Sequence, residues 1–337
     1  MPAQTVTVLL IHGAFAESAS WNPVLTRLRA ESVDVVAVAN PLRSVSGDAA
    51  YVRDIITGIG TPVVLVGHSY GGMVITEAAA GNDSVVGLVY ASAFAPESGE
   101  SAFELSTKFP GSTLGDVLVT SPVPTGVEFR IRPGDFHRQF VADGSEAEAE
   151  LMALTQRPVT EVALAEGLPT AAPAWKQLPS WFVFGDQDRN IPVELLRFMA
   201  ERAQSKGTRE VAGASHAISI GAPDQVTAAI LDAVGPPVEG LDPGCRPRSD
   251  IYHIMEEEMS DPAGDGTFLG ELETEVKAEL DLAEASGPGE VVGEASAEWL
   301  YESIEVQREE IGLRSLLGAV EAVEGDDPRN DERTAGL

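Results

Sequence analysis

A serine at the centre of a glycine-rich turn is the residue best suited to nucleophilic chemistry. The segment Gly67-His68-Ser69-Tyr70-Gly71-Gly72 follows a short apolar run, 62–66, and leads into small and apolar residues, 73–80, that are typical of a helix. A G-x-S-x-G turn between a strand and a helix lifts the serine hydroxyl to the edge of a sheet. We therefore predict that Ser69 is a nucleophile. The alternative is a glycine-rich turn without chemistry.

A nucleophilic serine needs a base to accept its proton and a carboxylate to orient that base. His216 follows one predicted strand, and Asp186 and Asp188 follow another. The order serine, acid, histidine along the chain is the order that accompanies a G-x-S-x-G turn. We predict that His216 is the base. Asp188 is the preferred acid because it lies further along the loop, whereas Asp186 is expected to cap that loop through backbone N–H groups.

The remaining four histidines are interpreted as structural. One of them, His137, is also a candidate for contact with a substrate. The four are His12, His68, His137 and His253.

An attacked carbonyl develops negative charge, which two backbone N–H groups can stabilise. The residue after the nucleophile supplies one of them, the N–H of Tyr70. The turn Ile11-His12-Gly13-Ala14-Phe15 follows the first apolar run, and Gly13 allows its backbone to approach a substrate closely. We predict that the Ala14 N–H is the second donor.

The chain of 337 residues is strongly acidic, with a formal net charge of −31 and a sequence pI of about 4.3. Such a charge repels nucleic acid phosphates and anionic membrane surfaces, so neither is expected as a partner. Apolar residues make up 44% and charged residues 22%, which is typical of a globular chain. Residues 236–337 carry 27 acidic and 7 basic residues and hold much of the excess.

A single cysteine, Cys245, excludes an intramolecular disulfide and a cysteine-based metal cage. No metal and no cofactor are expected. The N-terminal residues lack the basic segment of a signal peptide, and no run of 18 apolar residues predicts a membrane span. A cytoplasmic protein is the resulting expectation.

Short apolar runs alternate with longer amphipathic stretches between residues 6 and 233, a pattern typical of parallel strands with helical crossovers. The strands are predicted at Val6–Ile11, Val33–Val38, Pro62–Val66, Val85–Tyr90, Trp181–Phe184 and Thr208–Val211. The helices are predicted at about 18–30, 47–58, 70–80, 192–204 and 222–233. The pattern indicates an α/β protein with one doubly wound, mostly parallel sheet.

The alternation stops for about 90 residues, in which prolines are frequent. A loop of that length without structure is implausible in a compact domain, so 93–178 is predicted to be an inserted cap of short helices that selects the substrate. The predicted catalytic domain spans 1–234, and proline and glycine mark a linker at 235–250. Residues 251–337 are then an acidic extension, either a helical hairpin or disordered, and a candidate surface for a homo-oligomer or a protein partner.

The chain resembles the α/β-hydrolase superfamily. The matching elements are the His12-Gly13-Ala14 turn with Trp21 after it, the glycine-rich turn around Ser69, the Asp186-Gln187-Asp188 segment and the Ser215-His216 loop. The likeness covers about 1–234 and is greatest to small bacterial esterases related to plant methylesterases and hydroxynitrile lyases. It implies a Ser–His–Asp triad, with the second aspartate of the Asp-Gln-Asp segment as the acid.

Departures from the family pattern narrow the implied activity. The related lyases carry threonine where this chain has Gly13 and lysine where it has Ala217. Dehalogenases and epoxide hydrolases of the superfamily use an aspartate where this chain has Ser69. The resemblance therefore implies hydrolysis of small carboxylic esters, with lactones or thioesters as further substrates and no cofactor.

Two alternatives stay open at the level of sequence. An acyltransferase or perhydrolase would use the same residues and differ in the molecule that replaces water. A ligand receptor on a hydrolase fold would keep the residues but turn over slowly, and the unmatched acidic extension favours this interpretation. Turnover of a panel of small esters separates a receptor from an enzyme.

Overall fold

The structure is a computed structural model that describes residues 6–124 and 126–235. Its strands are β1 (Thr7–Ile11), β2 (Asp34–Val38), β3 (Val63–His68), β4 (Val85–Ala91), β5 (Leu118–Val123), β6 (Gly126–Ile131), β7 (Val159–Thr160), β8 (Ser180–Gly185) and β9 (Gly207–Val211). Its α-helices are α1 (Asn22–Ala30), α2 (Val45–Ile59), α3 (Gly71–Ala79), α4 (Ala102–Ser106), α5 (Pro133–Phe140), α6 (Glu146–Thr155), α7 (Glu161–Ala165), α8 (Val193–Arg202), α9 (Ile218–Gly221) and α10 (Pro223–Val234). Short 3-10 helices lie at Ser18–Trp21, Leu114–Val117 and Ala174–Lys176.

Six strands form a central sheet in the order β2-β1-β3-β4-β8-β9. All of its neighbouring strands run parallel. The inner strands β1 and β3 are fully buried because helices cover both faces of the sheet. The predicted α/β architecture with a mostly parallel, doubly wound sheet is confirmed.

Alternation of side chains along the strands divides the core into two layers. On one face, Val8 and Leu10 of β1 belong to a cluster with residues of α1 and α10. On the other face, Leu9 and Ile11 belong to a cluster with residues of α2, α3 and α8. The carboxyl ends of β3, β8 and β9 consequently lie along one edge of a sheet that is packed on both sides.

The segment between β4 and β8 contains α4 to α7, in line with the expected insertion of short helices, together with a sheet that the sequence analysis did not anticipate. Strands β5, β6 and β7 pair antiparallel in that order. Pro122 lies in β5, which is an edge strand of this sheet, the position at which a sheet accommodates proline. Pro122 is therefore compatible with this sheet.

The division of the chain into a catalytic domain, a linker at 235–250 and an extension at 251–337 stays a prediction, because residues 236–337 lie outside the described part. His253 and Cys245 lie there as well. None of the helices within the described ranges has the length and apolar character needed to cross a membrane.

The start of α3 packs against the chain that follows β4 without room for a side chain. A Cβ atom added to Gly72 would lie 2.1 Å from the carbonyl oxygen of Phe94, a backbone atom that cannot rotate away. We expect Gly72→Ala to lower the free energy of unfolding by about 2–3 kcal/mol. Gly58, in the exposed part of α2, has no atom within 4 Å of the position that a Cβ would take. Gly58→Ala should therefore raise the free energy of unfolding by about 0.5–1 kcal/mol. Urea unfolding of both variants checks this, and equal effects would contradict it.

Candidate active site

Ser69 occupies the turn between β3, which ends at His68, and α3, which begins at Gly71. Its φ of 53° lies in the left-handed region, which a serine seldom adopts without support from its surroundings. Part of that support is close packing, since a Cβ on Gly13 would lie 2.6 Å from the Ser69 Cβ. Only 7% of Ser69 is exposed, and it lines a cavity.

His216 and Asp188 come together from two loops at the same edge of the sheet. His216 Nδ1 lies 2.8 Å from Asp188 Oδ2, and both side chains are fully buried. The other carboxylate oxygen, Asp188 Oδ1, accepts hydrogen bonds from the N–H groups of Asn190 at 2.8 Å and Ile191 at 2.9 Å. Both carboxylate oxygens of Asp188 therefore have hydrogen-bond partners, and one of those partners is the His216 ring.

Asp186 makes a different contact. Its Oδ1 accepts a hydrogen bond of 2.7 Å from the N–H of Gly213, the glycine at φ 78° that precedes the His216 loop. Of the two aspartates that the sequence offers as acids, Asp188 is the one within hydrogen-bond distance of His216.

The second ring nitrogen of His216, Nε2, is buried and has no hydrogen-bond partner within the described ranges. The structure thus brings His216 to Asp188 but does not join it to Ser69 by a hydrogen bond. Such bonds are often long before substrate binds and shorten in the complex. The His216 ring centroid lies 4.8 Å from that of His68, the neighbour of Ser69. The imidazole that carries the unpaired Nε2 therefore lies beside the serine turn.

His12 sets the orientation of the peptide that precedes Ala14. The N–H of Asn40 donates to His12 Nε2 at 3.0 Å, so this nitrogen is unprotonated. His12 Nδ1 therefore carries the proton and donates it to the Gly13 carbonyl oxygen at 2.9 Å. The carbonyl and N–H of a trans peptide point in opposite directions. The Ala14 N–H is consequently directed away from His12, and Ala14, Ser69 and Tyr70 line one cavity.

His68 holds the backbone of the His216 loop. Its Nε2 donates to the His216 carbonyl oxygen at 3.0 Å. Burial lowers the pKa of His68 well below its usual value, and the nearby His216 lowers it further. His68 is therefore neutral and serves as a hydrogen-bond donor. His137, in α5, lies with Nε2 3.0 Å from the Gly144 carbonyl oxygen, consistent with the structural interpretation of both histidines.

Sequence reasoning missed a buried pair behind the serine turn. The Tyr70 hydroxyl donates to Asp48 Oδ2 at 2.9 Å, and the N–H of Arg43 donates to Asp48 Oδ1 at 3.0 Å. Burial raises the pKa of Asp48, and burial together with the Asp48 charge raises the pKa of Tyr70 well above its usual range. This pair fixes the Tyr70 side chain. Asp48 lies in the first turn of α2, and its position there gives no signal in the sequence that it faces Tyr70.

The cavity beside Ser69 has a volume of about 460 Å³. Its walls are formed largely by apolar and aromatic side chains from the turn after β1, the insertion and the loop after β8. These include Phe15, Phe94, Phe103, Phe109, Leu164 and Ile191. No lysine, arginine or histidine of the described residues lines it, so it suits a neutral apolar group. Within the described ranges, no group of three or more histidine, cysteine or acidic side chains is arranged to hold a metal ion.

Comparison with known proteins gives a family for this fold and site. The model of the alpha/beta hydrolase family matches residues 8–229. The chain belongs to this family. Among curated proteins, alpha/beta hydrolase nvfD of Aspergillus novofumigatus is 26% identical over 256 residues, which cover 69% of this chain and 98% of that protein.

Solved structures share the fold of this chain. Polyneuridine aldehyde esterase aligns with a TM-score of 0.60 and 21% identity over 69% of this chain and 100% of its own. A methylesterase from Arabidopsis aligns with a TM-score of 0.58 and 17% identity over 68% of this chain and 99% of its own. The resemblance inferred from the sequence, to esterases that include plant methylesterases, is confirmed at the level of family and fold.

Burial of His12 makes the folded state sensitive to acid. Loss of hydration lowers the pKa of His12 from 6.5 to about 4, so protons bind the unfolded chain first as the pH falls. The stabilising effect of a neutral His12 is complete above about pH 6.5 and is lost between there and about pH 4. Through this group alone we expect the free energy of unfolding to fall by about 2 kcal/mol from pH 7 to pH 5.

Urea unfolding at both pH values tests this expectation. His12→Gln, which keeps a hydrogen-bonding side chain but cannot titrate, should show a smaller loss than the unmodified protein. The lowered pKa of His68 acts in the same direction and increases the loss of unfolding free energy in both proteins. The raised pKa of Asp48 acts in the opposite direction. If the free energy of unfolding falls between pH 7 and pH 5 by the same amount in His12→Gln as in the unmodified protein, His12 does not contribute to the acid sensitivity.

Proposed function

We propose that the protein is a serine hydrolase that cleaves small carboxylic esters through an acyl-enzyme on Ser69. The observation that carries this proposal is the buried hydrogen bond between His216 and Asp188 at the sheet edge where the left-handed turn presents Ser69. A histidine with one nitrogen held by a carboxylate and the other free is arranged to accept a proton. Membership of the alpha/beta hydrolase family, and the names of two related structures as esterases, support the same reaction class.

The proposed first step forms the acyl-enzyme. Ser69 Oγ attacks the ester carbonyl carbon, and its proton passes to His216 Nε2. The negative charge on the carbonyl oxygen is stabilised by the N–H groups of Ala14 and Tyr70, which are fixed before substrate binds. Asp188 stabilises the protonated imidazole. His216 then gives the proton to the leaving alkoxide as the C–O bond breaks, and the alcohol departs.

The proposed second step repeats this sequence with water. His216 accepts a proton from water, hydroxide adds to the acyl carbon, and the proton returns to Ser69 Oγ as the acid leaves. Burial of His216 and Asp188 strengthens their interaction because little water screens it. An acyltransferase or perhydrolase would share the first step and replace water with another acceptor in the second. The product that carries the acyl group therefore distinguishes a hydrolase from these alternatives.

The cavity supports a neutral, largely apolar substrate. A volume of about 460 Å³ falls in the range of pockets for small organic molecules. Since no cationic side chain of the described residues lines it, we expect esters with aromatic or branched apolar groups to be better substrates than esters with a second carboxylate. Asp116, at the cavity, adds repulsion toward anions.

Ser69→Ala should abolish ester turnover without unfolding the protein, because it removes only the attacking oxygen. Residual catalysis of about 10³ to 10⁴ over water is expected from the remaining groups. Ser92→Ala is the matched control, since Ser92 is another buried serine with a positive φ that follows a neighbouring strand. It should keep full activity on a panel of p-nitrophenyl esters.

Mass spectrometry after treatment with a fluorophosphonate should place the adduct on Ser69. Near-normal turnover by Ser69→Ala, or an adduct on a different residue, would reject the assignment. At most one slow turnover per molecule of unmodified protein would instead favour a ligand receptor.

Substitution of the two neighbouring aspartates should have unequal effects. Asp188→Asn leaves the loop in place but places an amide against His216, which favours the wrong imidazole tautomer, so kcat should fall by about 10⁴. Asp186→Asn removes charge from an acceptor of the Gly213 N–H and should mainly lower stability. Steady-state kinetics together with thermal unfolding of both variants measures the difference. A larger fall in kcat for Asp186→Asn would identify Asp186 as the acid.

A further inference from the structure

Helix α5 of the insertion contacts both of the loops that carry Asp188 and His216. Its last two residues, Gln139 and Phe140, are buried. Gln139 is hydrogen-bonded to the loop after β8, and Phe140 contacts the loop after β9. Neighbouring residues of one helix thus contact the two loops that carry the acid and the base of the proposed triad.

The carboxylate of Asp188 depends on the orientation of two peptide groups. It accepts from the N–H groups of Asn190 and Ile191. These N–H groups share peptide planes with the carbonyl groups of Arg189 and Asn190, which point in the opposite direction. Whatever binds those two carbonyl oxygens therefore also aims the two N–H groups at Asp188.

Residues of the insertion bind both of these carbonyl oxygens. The Arg189 oxygen accepts from the N–H of Thr113 at 3.0 Å and from Gln139 Nε2 at 2.9 Å. The Asn190 oxygen accepts from Ser112 Oγ at 2.9 Å. Each peptide that holds the carboxylate is thus bound from its far side by the insertion.

Gln139 connects these contacts. Its Nε2 donates both to the Arg189 carbonyl oxygen and, at 2.9 Å, to the side-chain oxygen of Asn190. Its Oε1 accepts from Thr113 Oγ1 at 2.9 Å. Only 2% of Gln139 is exposed, so water cannot replace these three bonds without a change in packing.

The next residue, Phe140, contacts the histidine loop. Its carbonyl oxygen accepts from the N–H of Ala217 at 2.9 Å, and its ring lies edge-on to the His216 imidazole with centroids 5.1 Å apart. The peptide between His216 and Ala217 is bound on its other side by His68. The backbone of the base is therefore held between α5 and the serine turn.

We propose that Gln139 is a positioning residue for the acid of the proposed triad and that α5 aligns Asp188 with His216. The proposal rests on the proposed function. Gln139 acts through the peptide between Arg189 and Asn190, whose N–H donates to the Asp188 carboxylate, and through the side chain of Asn190. Within the described residues, its own hydrogen bonds go to the Arg189 carbonyl, the Asn190 side chain and the Thr113 hydroxyl, and not to Asp188.

The chain offers a closely matched control in Gln156. This second buried glutamine of the insertion also makes three hydrogen bonds, to the N–H and carbonyl of Ile131 and to the carbonyl of Ala153. None of these partners belongs to the loops of Asp188 or His216. Methionine has a similar length and no amide, so Gln139→Met and Gln156→Met remove equal numbers of hydrogen bonds from similar surroundings.

The test is a double-mutant cycle with Asp188→Asn. Gln139→Met should lower kcat by about tenfold or more, with KM changed by less than about twofold, because it misplaces the acid and Gln139 does not itself line the cavity. In the Asp188→Asn background it should have almost no further effect on kcat. Gln156→Met should lower stability with little change in kcat in either background.

Equal losses of kcat from Gln139→Met in both backgrounds, or losses no larger than those of Gln156→Met, would overturn the proposal. If Gln139→Met does not fold, Ser112→Ala and Thr113→Val each remove one bond of the same network and should lower kcat by about two- to threefold. That loss should again vanish with Asp188→Asn, and an unchanged kcat in both variants would overturn the proposal.

Ser69→Ala separates this inference from the function on which it rests. If Ser69→Ala keeps normal turnover, the proposed function and the positioning role are both rejected. If Ser69→Ala is inactive while Gln139→Met behaves like Gln156→Met, only the positioning role is rejected.

Discussion

The hydrogen bond between His216 and Asp188 constrains much of the surrounding structure. Removing a carboxylate from water costs several kcal/mol unless its oxygens are fully hydrogen-bonded. Asp188 meets this requirement with one imidazole and two peptide N–H groups, and those peptides are in turn bound through their carbonyl oxygens. The loop after β8 can therefore adopt this conformation only where the rest of the fold supplies donors on its outer side.

The same logic applies to the serine turn. Its left-handed residue, Ser69, is flanked by backbone that packs too closely for side chains. Two histidines beside it, His68 and His12 of the turn after β1, are buried in neutral form. His12 and His68 each donate to a backbone carbonyl, and so each fixes the direction of a peptide group. Neutral imidazole is suited to this because one nitrogen donates while the other can accept.

Local patterns predicted the sheet and the principal residues of the candidate site. The strands of the parallel sheet are short, and the predicted bounds of β1, β4 and β9 lie within one residue of those in the structure. The position of Ser69 followed from its glycine neighbours, and Asp188 and His216 followed from the ends of two strands. All of these signals lie within a few residues of the feature they predict. The roles of these residues in catalysis stay predictions.

Contacts between distant segments left no such signal. Gln139 lies 50 residues from Arg189, and Asp48 lies 22 residues from Tyr70. Nothing in the neighbouring sequence marks either side chain as buried, since glutamine and aspartate are usually exposed. The strands β5 and β6 were not predicted from the sequence, for another reason. Their burial alternates weakly and β5 contains a proline, so the pattern does not distinguish an edge hairpin from a loop.

The insertion joins β4 to β8, and these two strands pair directly in the sheet. By topology alone it resembles a module that evolution or a designer could exchange between family members, because the sheet closes without it. The hydrogen bonds from Ser112, Thr113 and Gln139 limit that freedom. A chimaera that carried a foreign insertion would inherit a new cavity but lose the outer donors of the acid loop. A chimaera with a new substrate preference must therefore keep the recipient's own residues at these three positions of the insertion, even where the rest of the segment is replaced.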